Sequence, residues 1–178
     1  MDSLEVIARP RFDKADLAWL TDIRGRRTGS RGPPYFTLVF PGAQMEPPAF
    51  AALVRAQVEK LPRIRFHLRS ALVVPEHSVH RFHVFLIPDE GFGAILRLHD
   101  ALHTGPIETC LRPETPYLPH ITVATTADFT AARRIDAQLN AGGIDIGGAI
   151  ESLEVERRAG EVIRTIAEIP LAKPGLFG

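Results

Sequence analysis

The chain alternates between short stretches with every second residue apolar and longer stretches with apolar residues three or four positions apart. The first spacing is typical of a half-buried β-strand and the second of an amphipathic α-helix. The stretch 64–69 has the strand pattern, with Ile64, Phe66 and Leu68 on one face, and 47–61 has the helix pattern. Proline and glycine mark the turns between these stretches. The predicted strands cover 3–8, 35–40, 64–73, 81–88, 150–157 and 161–169, with one more that begins at His120. The predicted helices cover 13–27, 47–61, 90–104 and 128–140.

The first predicted helix has a clear beginning and an apolar face. Asp13 precedes it, and a carboxylate at this position can accept hydrogen bonds from the free N–H groups of the first turn. Helical spacing places Leu17, Leu20 and Ile23 on one side, and we expect all three to face the core.

The order of the elements occurs twice along the chain. A strand, a helix, a second strand, a second helix and a further strand cover about 3–74, and the same order covers about 81–157 before a closing strand. This repetition predicts an α+β fold with two pseudo-symmetric lobes. Each lobe is expected to be a mostly antiparallel sheet with helices on its outer face, around a central cleft. No linker separates the copies, so we expect one bilobal domain over 1–178.

Composition narrows the classes of function. The formal net charge is zero, which argues against a bulk binder of nucleic acids or membranes. Arginine supplies all of the 21 basic residues except Lys14, Lys60 and Lys173, a preference that suits phosphate recognition but also follows from high-GC coding bias. The single cysteine excludes an intramolecular disulfide, and no signal-like or membrane-spanning apolar run is visible. We expect a cytoplasmic monomer without a membrane partner.

Two stretches share a pattern of polar residues that can take part in catalysis or ligand binding. YFTLVFP begins at Tyr35 and HITVA begins at His120, so Thr37 and Thr122 each follow two positions later. Because side chains alternate along a strand, each threonine points the same way as the residue that begins its stretch. If the lobes face each other across a cleft, these four polar side chains converge there. The apolar residues between them then face the cores: Phe36, Leu38, Ile121 and Val123.

The motifs PHITVA and PPYFTLVFP, with the run FLIPDEGFGAILRLHDALHTGPIETCLRPETPYLPHITVA, resemble the two-histidine phosphoesterase superfamily, in particular its 2′-5′ RNA ligase-like branch. The resemblance covers most of the chain in order. It implies that one His removes a proton and another donates one, while Thr hydroxyls bind phosphate oxygens without metal or other cofactor. It implies a cyclic phosphate, a nucleotide or an RNA end as ligand, with His120 catalytic and Thr37 and Thr122 binding phosphate.

The chain departs from this family pattern at Tyr35, which stands where the first His is expected. A phenol, with an ordinary pKa of about 10, is a poor base at neutral pH but can donate a proton or a hydrogen bond. Three alternatives remain open. Tyr35 acts as the acid or as a phosphate ligand with His120 as base, another His replaces the missing one, or the domain binds a nucleotide-like ligand with little turnover. If active, the protein is expected to be a 2′,3′-cyclic phosphodiesterase-like phosphoric diester hydrolase.

Several other polar residues are auxiliary candidates. His83 lies on a predicted strand and is a substitute for the missing His if its face lines the cleft; the alternative is a pairing with a backbone or carboxylate group. Arg65, His67 and Arg69 share one strand face and either hold phosphate oxygens or RNA backbone, or form a solvated surface. Tyr117 either stacks on a base or packs at a hinge before the motif strand.

A metal site is the remaining alternative. In HDALH, His99 and His103 are spaced like the two ligands of a zinc-binding helix, with Asp100 in place of the glutamate base. Such a metal-dependent hydrolase needs a third ligand. We expect this helix to pack outside the sheet and away from the motif strands, and we therefore predict no metal site.

Overall fold

The computed structural model describes residues 3–29, 32–43 and 45–173, without the side chain of His77. Nine strands, four α-helices and two short 3₁₀ segments make up this part of the chain. The strands are β1 Ser3–Ala8, β2 Arg11–Phe12, β3 Phe36–Ala43, β4 Ile64–Glu76, β5 Arg81–Glu90, β6 Ile121–Thr126, β7 Ile146–Ile150, β8 Ser152–Ala159 and β9 Val162–Pro170. The helices are α1 Lys14–Thr28, α2 Pro47–Val58, α3 Phe92–Leu102 and α4 Phe129–Ala141, and the 3₁₀ segments are His77–Val79 and Gly105–Cys110.

The strands form two antiparallel sheets. The first sheet has the order β3-β1-β8-β9 and the second the order β2-β7-β4-β5-β6. This confirms the predicted α+β class with two sheets. Each sheet takes strands from both predicted repeat copies, because β4 joins the second sheet and β8 joins the first. The lobes are therefore interleaved in sequence rather than consecutive.

The two motif strands lie at the edges of the sheets, and helices cross between the halves. β3 is an edge of the first sheet and β6 is an edge of the second. Helix α1, which precedes β3 in the chain, packs against β6, whereas α3, which precedes β6, packs against β3. This exchange fixes the two motif strands relative to each other. Within the described residues, no helix is long and apolar enough to cross a membrane.

Helix α1 begins as predicted but uses a smaller apolar face. The Asp13 carboxylate accepts a hydrogen bond of 2.8 Å from the backbone N–H of Asp16. Leu20 and Ile23 are buried, as expected, but Leu17 is 38% exposed, so its predicted inward position is wrong. The buried residues of α1 are Leu20, Ile23 and Arg24, so the helix faces the core from its middle onward.

Two strands were missed, the two-residue β2 and the glycine-containing β7. β7 carries Gly147 and Gly148, which weaken any strand pattern, and the segment before residue 150 is expected from sequence to be a turn. A Cβ atom at position 148 would lie 2.5 Å from the Phe66 ring and 2.9 Å from the Phe12 ring. Glycine is needed there because two aromatic side chains cross the strand at close range.

A single hydrophobic cluster joins the two sheets. Phe36 of β3 and Phe66 of β4 meet edge to face, with ring centroids 5.1 Å apart, and both are fully buried. Leu38, Ile121 and Val123 are also fully buried, which confirms the inward side of both motif strands. The alternation that buries these apolar residues turns the intervening polar ones to the opposite face.

Candidate active site

The two motif threonines line one cavity. Thr37 of β3 and Thr122 of β6 both border a cavity of about 800 Å³, whose walls come from both sheets and from the segment that leads into β6. A volume of this size lies toward the upper end of the range of about 300–1,000 Å³ that is usual for small-molecule sites. His120 and His83 line the same cavity. The geometry thus gathers two hydroxyl groups and several imidazoles around one space.

His120 is held in one tautomer and one orientation. Its Nδ1 lies 2.6 Å from the carbonyl oxygen of Leu118, which can only accept, so Nδ1 carries the hydrogen. The ring is stacked on Phe85, with centroids 3.6 Å apart and planes inclined by 16°. A neutral imidazole with its hydrogen on Nδ1 has an unprotonated Nε2, which is the form required of a general base.

The environment keeps His120 neutral. Burial lowers its pKa to about 4, because the charged imidazolium is poorly solvated there. The nearby His83 adds to the lowering, while the hydrogen bond to Leu118 opposes it. A bound phosphate anion would favour the imidazolium and raise this pKa toward neutrality. The side chain is therefore an unprotonated acceptor before ligand binding and a better base once an anion is present.

Tyr35 lies apart from this group. Its side chain is 36% exposed and is not among the described residues that line the cavity. The guanidinium carbon of Arg24 lies 5.3 Å from the centre of its ring. Arg24 is itself buried; it donates from Nε to the carbonyl oxygen of Thr122 at 3.0 Å and from Nη1 to that of Gly32 at 2.8 Å. Tyr35 therefore stands beside a cation that is tied to the opposite motif strand.

Tyr117 packs at the hinge before β6. Its ring is stacked on His99, with centroids 3.8 Å apart and planes within 7° of parallel. Its hydroxyl donates to the carbonyl oxygen of Thr37 at 3.0 Å. Burial raises the pKa of this phenol, so the hydroxyl stays protonated and remains a donor. Of the two sequence-based alternatives for Tyr117, the structure favours packing, because one ring face and the hydroxyl are both occupied.

His83 lines the cavity but has partners on both ring nitrogens. Nδ1 lies 3.0 Å from the hydroxyl of Thr125, and Nε2 lies 2.7 Å from a carboxylate oxygen of Glu76. Its ring is nearly parallel to that of Phe85, with centroids 5.7 Å apart. Phe85 thus separates His83 from His120. His83 therefore borders the cavity and also pairs with a carboxylate, and its role as a substitute for the missing His stays a prediction.

The basic stripe on β4 belongs to a different surface. Arg65, His67 and Arg69 are not among the described residues that line the cavity. His67 Nδ1 lies 3.1 Å from a carboxylate oxygen of Asp145, and Arg69 pairs with Asp145 at 2.9 Å and with Asp89 at 3.0 Å. The structure favours the solvated face over phosphate binding for these side chains.

The expected position of the HDALH helix is wrong. His99 and His103 are buried and line the cavity together with Thr37 and His120, instead of lying away from the motif strands. His99 follows Ile95 by four positions and so shares the buried stripe of α3. His103 Nδ1 donates to the carbonyl oxygen of His99 at 2.8 Å, and burial lowers its pKa. Across the described residues, no cluster of three or more His, Cys, Asp or Glu side chains is suited to a metal ion.

Sequence reasoning missed three side chains that shape the site. Arg24 is buried against β6, Phe85 stacks on the His120 ring, and Arg112 lines the cavity. Position 85 is only two residues from His83 on the same strand face, and that spacing was a usable signal for Phe85. Nothing local marks Arg24, because its position depends on α1 packing against the distant strand β6.

Solved structures share the fold of this chain. E. coli LigT complexed with 3′-AMP has a TM-score of 0.61 and 12% identity, over 96% of this chain and 98% of that chain. Kluyveromyces marxianus Usb1 with uridine monophosphate has a TM-score of 0.57 and 12% identity, over 95% of this chain and 98% of that one. A third structure, of a phosphoesterase, has a TM-score of 0.56 and 13% identity, with 97% and 96% covered. Identities this low show the fold alone.

Comparison of the sequence with family models identifies the family of the chain. Among curated proteins, none matches the chain significantly. The family model of the 2′-5′ RNA ligase superfamily matches residues 12–161, which include both motif strands and every described helix. The match spans well over half of the 178 residues and agrees with the resemblance drawn from the two motifs. The chain therefore belongs to the 2′-5′ RNA ligase superfamily.

Proposed function

We propose that this protein binds the phosphoester of a nucleotide or RNA end in the cavity between β3 and β6 and hydrolyses a 2′,3′-cyclic phosphate there. One observation carries the proposal. His120, with its hydrogen on Nδ1, lines the same cavity as the two motif threonines, in a chain of the 2′-5′ RNA ligase superfamily. That superfamily indicates phosphoester chemistry of nucleotides or RNA. The solved ligand complexes of LigT with 3′-AMP and of Usb1 with uridine monophosphate make small nucleotides the natural first probes.

In this proposal, the hydroxyl groups of the two motif threonines bind the phosphate. Thr37 and Thr122 each have a hydroxyl that can donate to a phosphate oxygen. Their carbonyl oxygens are occupied by Tyr117 and Arg24, so the backbone of each threonine is fixed by the opposite half of the chain. A backbone that is already fixed reduces the conformational entropy lost when the hydroxyls bind a phosphate.

The proposed reaction is hydrolysis by acid and base. A water molecule attacks phosphorus as Nε2 of His120 takes its proton, and one ester P–O bond breaks. We assign the proton taken by the leaving ribose oxygen to the hydroxyl of Tyr35, which stands at the position of the first family His and reaches the cavity only if its ring turns away from Arg24. Solvent then returns the proton from the imidazolium to the phenolate. General base catalysis of this kind contributes about 10²–10⁴-fold.

A non-catalytic nucleotide-binding module is the second candidate. The specific observation in its favour is Tyr35, which replaces an imidazole and is not among the described residues that line the cavity. Without an efficient proton donor, the same hydroxyl groups would hold a nucleotide with little turnover.

One assay separates the two candidates. Hydrolysis of adenosine 2′,3′-cyclic phosphate is measured in the presence of EDTA, together with the Kd of 3′-AMP, for the native protein, His120→Gln and the control His67→Gln. We expect turnover that resists the chelator, a loss of about 100-fold or more in kcat for His120→Gln, and little change for the control. Binding of 3′-AMP without turnover in the native protein would favour the binding module. Neither binding nor turnover would contradict both candidates.

A further inference from the structure

Arg112 is an arginine of the cavity lining, and the proposed reaction does not use it. Among the described lining residues, Arg112 and Glu76 are the ones with a full charge at neutral pH, and Glu76 is engaged by His83 at 2.7 Å. The guanidinium carbon of Arg112 lies 4.5 Å from the centre of the Phe40 ring, and Phe40 lines the cavity as well. A guanidinium stacked on an aromatic face keeps its in-plane N–H donors free for another partner.

Arg112 also lacks an acidic partner. Other arginines of this fold form ion pairs, as Arg69 does with Asp89 at 3.0 Å and Arg158 with Glu5 at 2.9 Å. No carboxylate in the described ranges pairs with Arg112, and its side chain is exposed. An arginine that faces a cavity, stacks on a ring and has no carboxylate is available for an anion from solution.

The backbone presents Arg112 on a defined turn. The N–H of Thr115 donates to the carbonyl oxygen of Arg112 at 2.9 Å, which closes a four-residue turn. Pro113 occupies the second position, where its fixed φ angle suits such a turn. The guanidinium therefore extends from a preorganised loop end, which limits the conformational entropy lost when it binds an anion.

A bulge on β3 brings Phe40 to the same side as Thr37. Ile7 of β1 pairs with Thr37, but its neighbour Val6 pairs with Val39, so one step on β1 corresponds to two on β3. This shift reverses the alternation beyond the bulge, and both Thr37 and Phe40 line the cavity. Three residues of strand span roughly 10 Å. Phe40 and Arg112 therefore line a part of the cavity beyond Thr37 along the strand, where a second phosphate of the same ligand can be held.

We infer that Arg112, stacked on Phe40, forms a second phosphate subsite, so that the cavity selects nucleotides with another phosphate beyond the reacting one. The inference rests on the proposed function, because it takes Thr37 and Thr122 as the first phosphate site. The second phosphate has two possible chemical sources. One is the 5′-phosphate of the same nucleotide, and the other is the phosphodiester link to a preceding nucleotide.

Binding of product-like nucleotides tests the inference without requiring turnover. The probes are 3′-AMP, adenosine 3′,5′-bisphosphate and the dinucleotide ApAp with a 3′-terminal phosphate. Calorimetry is carried out on the native protein, Arg112→Gln, Arg112→Lys, Phe40→Leu and the control Arg134→Gln. Arg134 is an exposed arginine of α4 that is not among the described cavity residues, and Arg112 is itself exposed, so these arginine variants are expected to fold.

The native protein is expected to bind a two-phosphate probe about tenfold more tightly than 3′-AMP, the gain typical of one charge-assisted contact. Arg112→Gln is expected to abolish that preference and leave the Kd of 3′-AMP within about twofold, while Arg112→Lys and Phe40→Leu retain part of it. Whether the bisphosphate or the dinucleotide shows the preference identifies the source of the second phosphate.

Four results would overturn the inference. Equal Kd values for all probes in the native protein would refute the second subsite and leave the proposed function standing. A similar loss in Arg134→Gln, or an equal loss for 3′-AMP in Arg112→Gln, would show a general charge effect instead. Failure of every probe to bind the native protein would refute the proposed function and this inference together.

Discussion

The hydroxyl of Tyr117 donates a hydrogen bond of 3.0 Å to the carbonyl oxygen of Thr37, across 80 positions of sequence. A matching bond runs the other way, because Nε of Arg24 donates to the carbonyl oxygen of Thr122 at 3.0 Å across 98 positions. Each motif threonine is thus held by a side chain from the other half of the chain. The first bond ties β3 to the segment that leads into β6, and the second ties β6 to α1, so the backbone of each motif threonine is held in place.

Removing the Tyr117 hydroxyl should weaken this connection. Tyr117→Phe leaves the stacking on His99 possible but deprives the Thr37 carbonyl of its donor, so we expect a loss of about 1–2 kcal/mol in the free energy of unfolding. Urea unfolding measures this change. Tyr35→Phe is the matched control, because Tyr35 is the other tyrosine of the chain and is partly exposed. Equal effects of the two substitutions would show that the cross-chain bond adds no stability.

The pKa of His120 predicts a specific sensitivity to acid. It is lowered to about 4 in the folded protein, compared with about 6.5 in an unfolded chain. Because the unfolded state binds the proton more strongly, stability is fully present above about pH 6.5 and is lost as the pH falls toward 4. The native protein should therefore lose about 2 kcal/mol more than His120→Gln between about pH 7 and pH 4.5 in urea unfolding. Parallel pH profiles for the two proteins would contradict a His120 that stays neutral in the folded protein.

Restoring the first family His should increase turnover. Tyr35 lies one position before β3, and because Phe36 is buried, alternation places residue 35 on the same side of the chain as Thr37, although Tyr35 is not among the described residues that line the cavity. An imidazole at this position can supply a proton near neutral pH, and we expect Tyr35→His to raise kcat for adenosine 2′,3′-cyclic phosphate by about tenfold or more. Tyr35→Phe should lower kcat if the phenol is the donor. An unchanged rate in Tyr35→His would mean that the cavity lacks more than one catalytic group.

Strand β7 should not tolerate a larger side chain in place of Gly148. Gly148→Ala would place a methyl group 2.5 Å from the Phe66 ring and 2.9 Å from the Phe12 ring, so we expect a loss of about 1–3 kcal/mol. Gly32→Ala, with no atom within 4 Å of the added carbon, is the control and should stay within about 0.5 kcal/mol. Thermal and urea unfolding both report the difference. A tolerated Gly148→Ala would show that the two rings can move aside.

Local patterns predicted those parts of the molecule that depend on local physics. Asp13 caps α1, the apolar residues of both motif strands are buried, and the order of strands and helices gives the right fold class. Each of these follows from capping, alternation or helical spacing, which a short window of sequence contains. The placement of Thr37 and Thr122 around one cavity agrees with the alternation argument, and their role there remains a prediction.

Features set by distant contacts were not predicted. β7 is identified by the Phe66 and Phe12 rings that cross it, and its own composition suggests a turn. His99 and His103 border the cavity because α3 packs against β3 rather than outside the sheets. Helical spacing states which residues share a face, but the partner of that face is fixed by the whole topology.

The central claim is that His120 presents a neutral Nε2 to a phosphate bound between β3 and β6, and ¹⁵N NMR of the histidine rings during titration with 3′-AMP tests it most directly. Without ligand, the His120 signals should report a hydrogen on Nδ1 and no protonation until the pH approaches 4. Added 3′-AMP should shift these signals saturably and raise the pKa of His120, because a nearby anion favours the imidazolium. A His120 that titrates near pH 6.5 without ligand, or whose signals do not change at saturating 3′-AMP, would contradict the account.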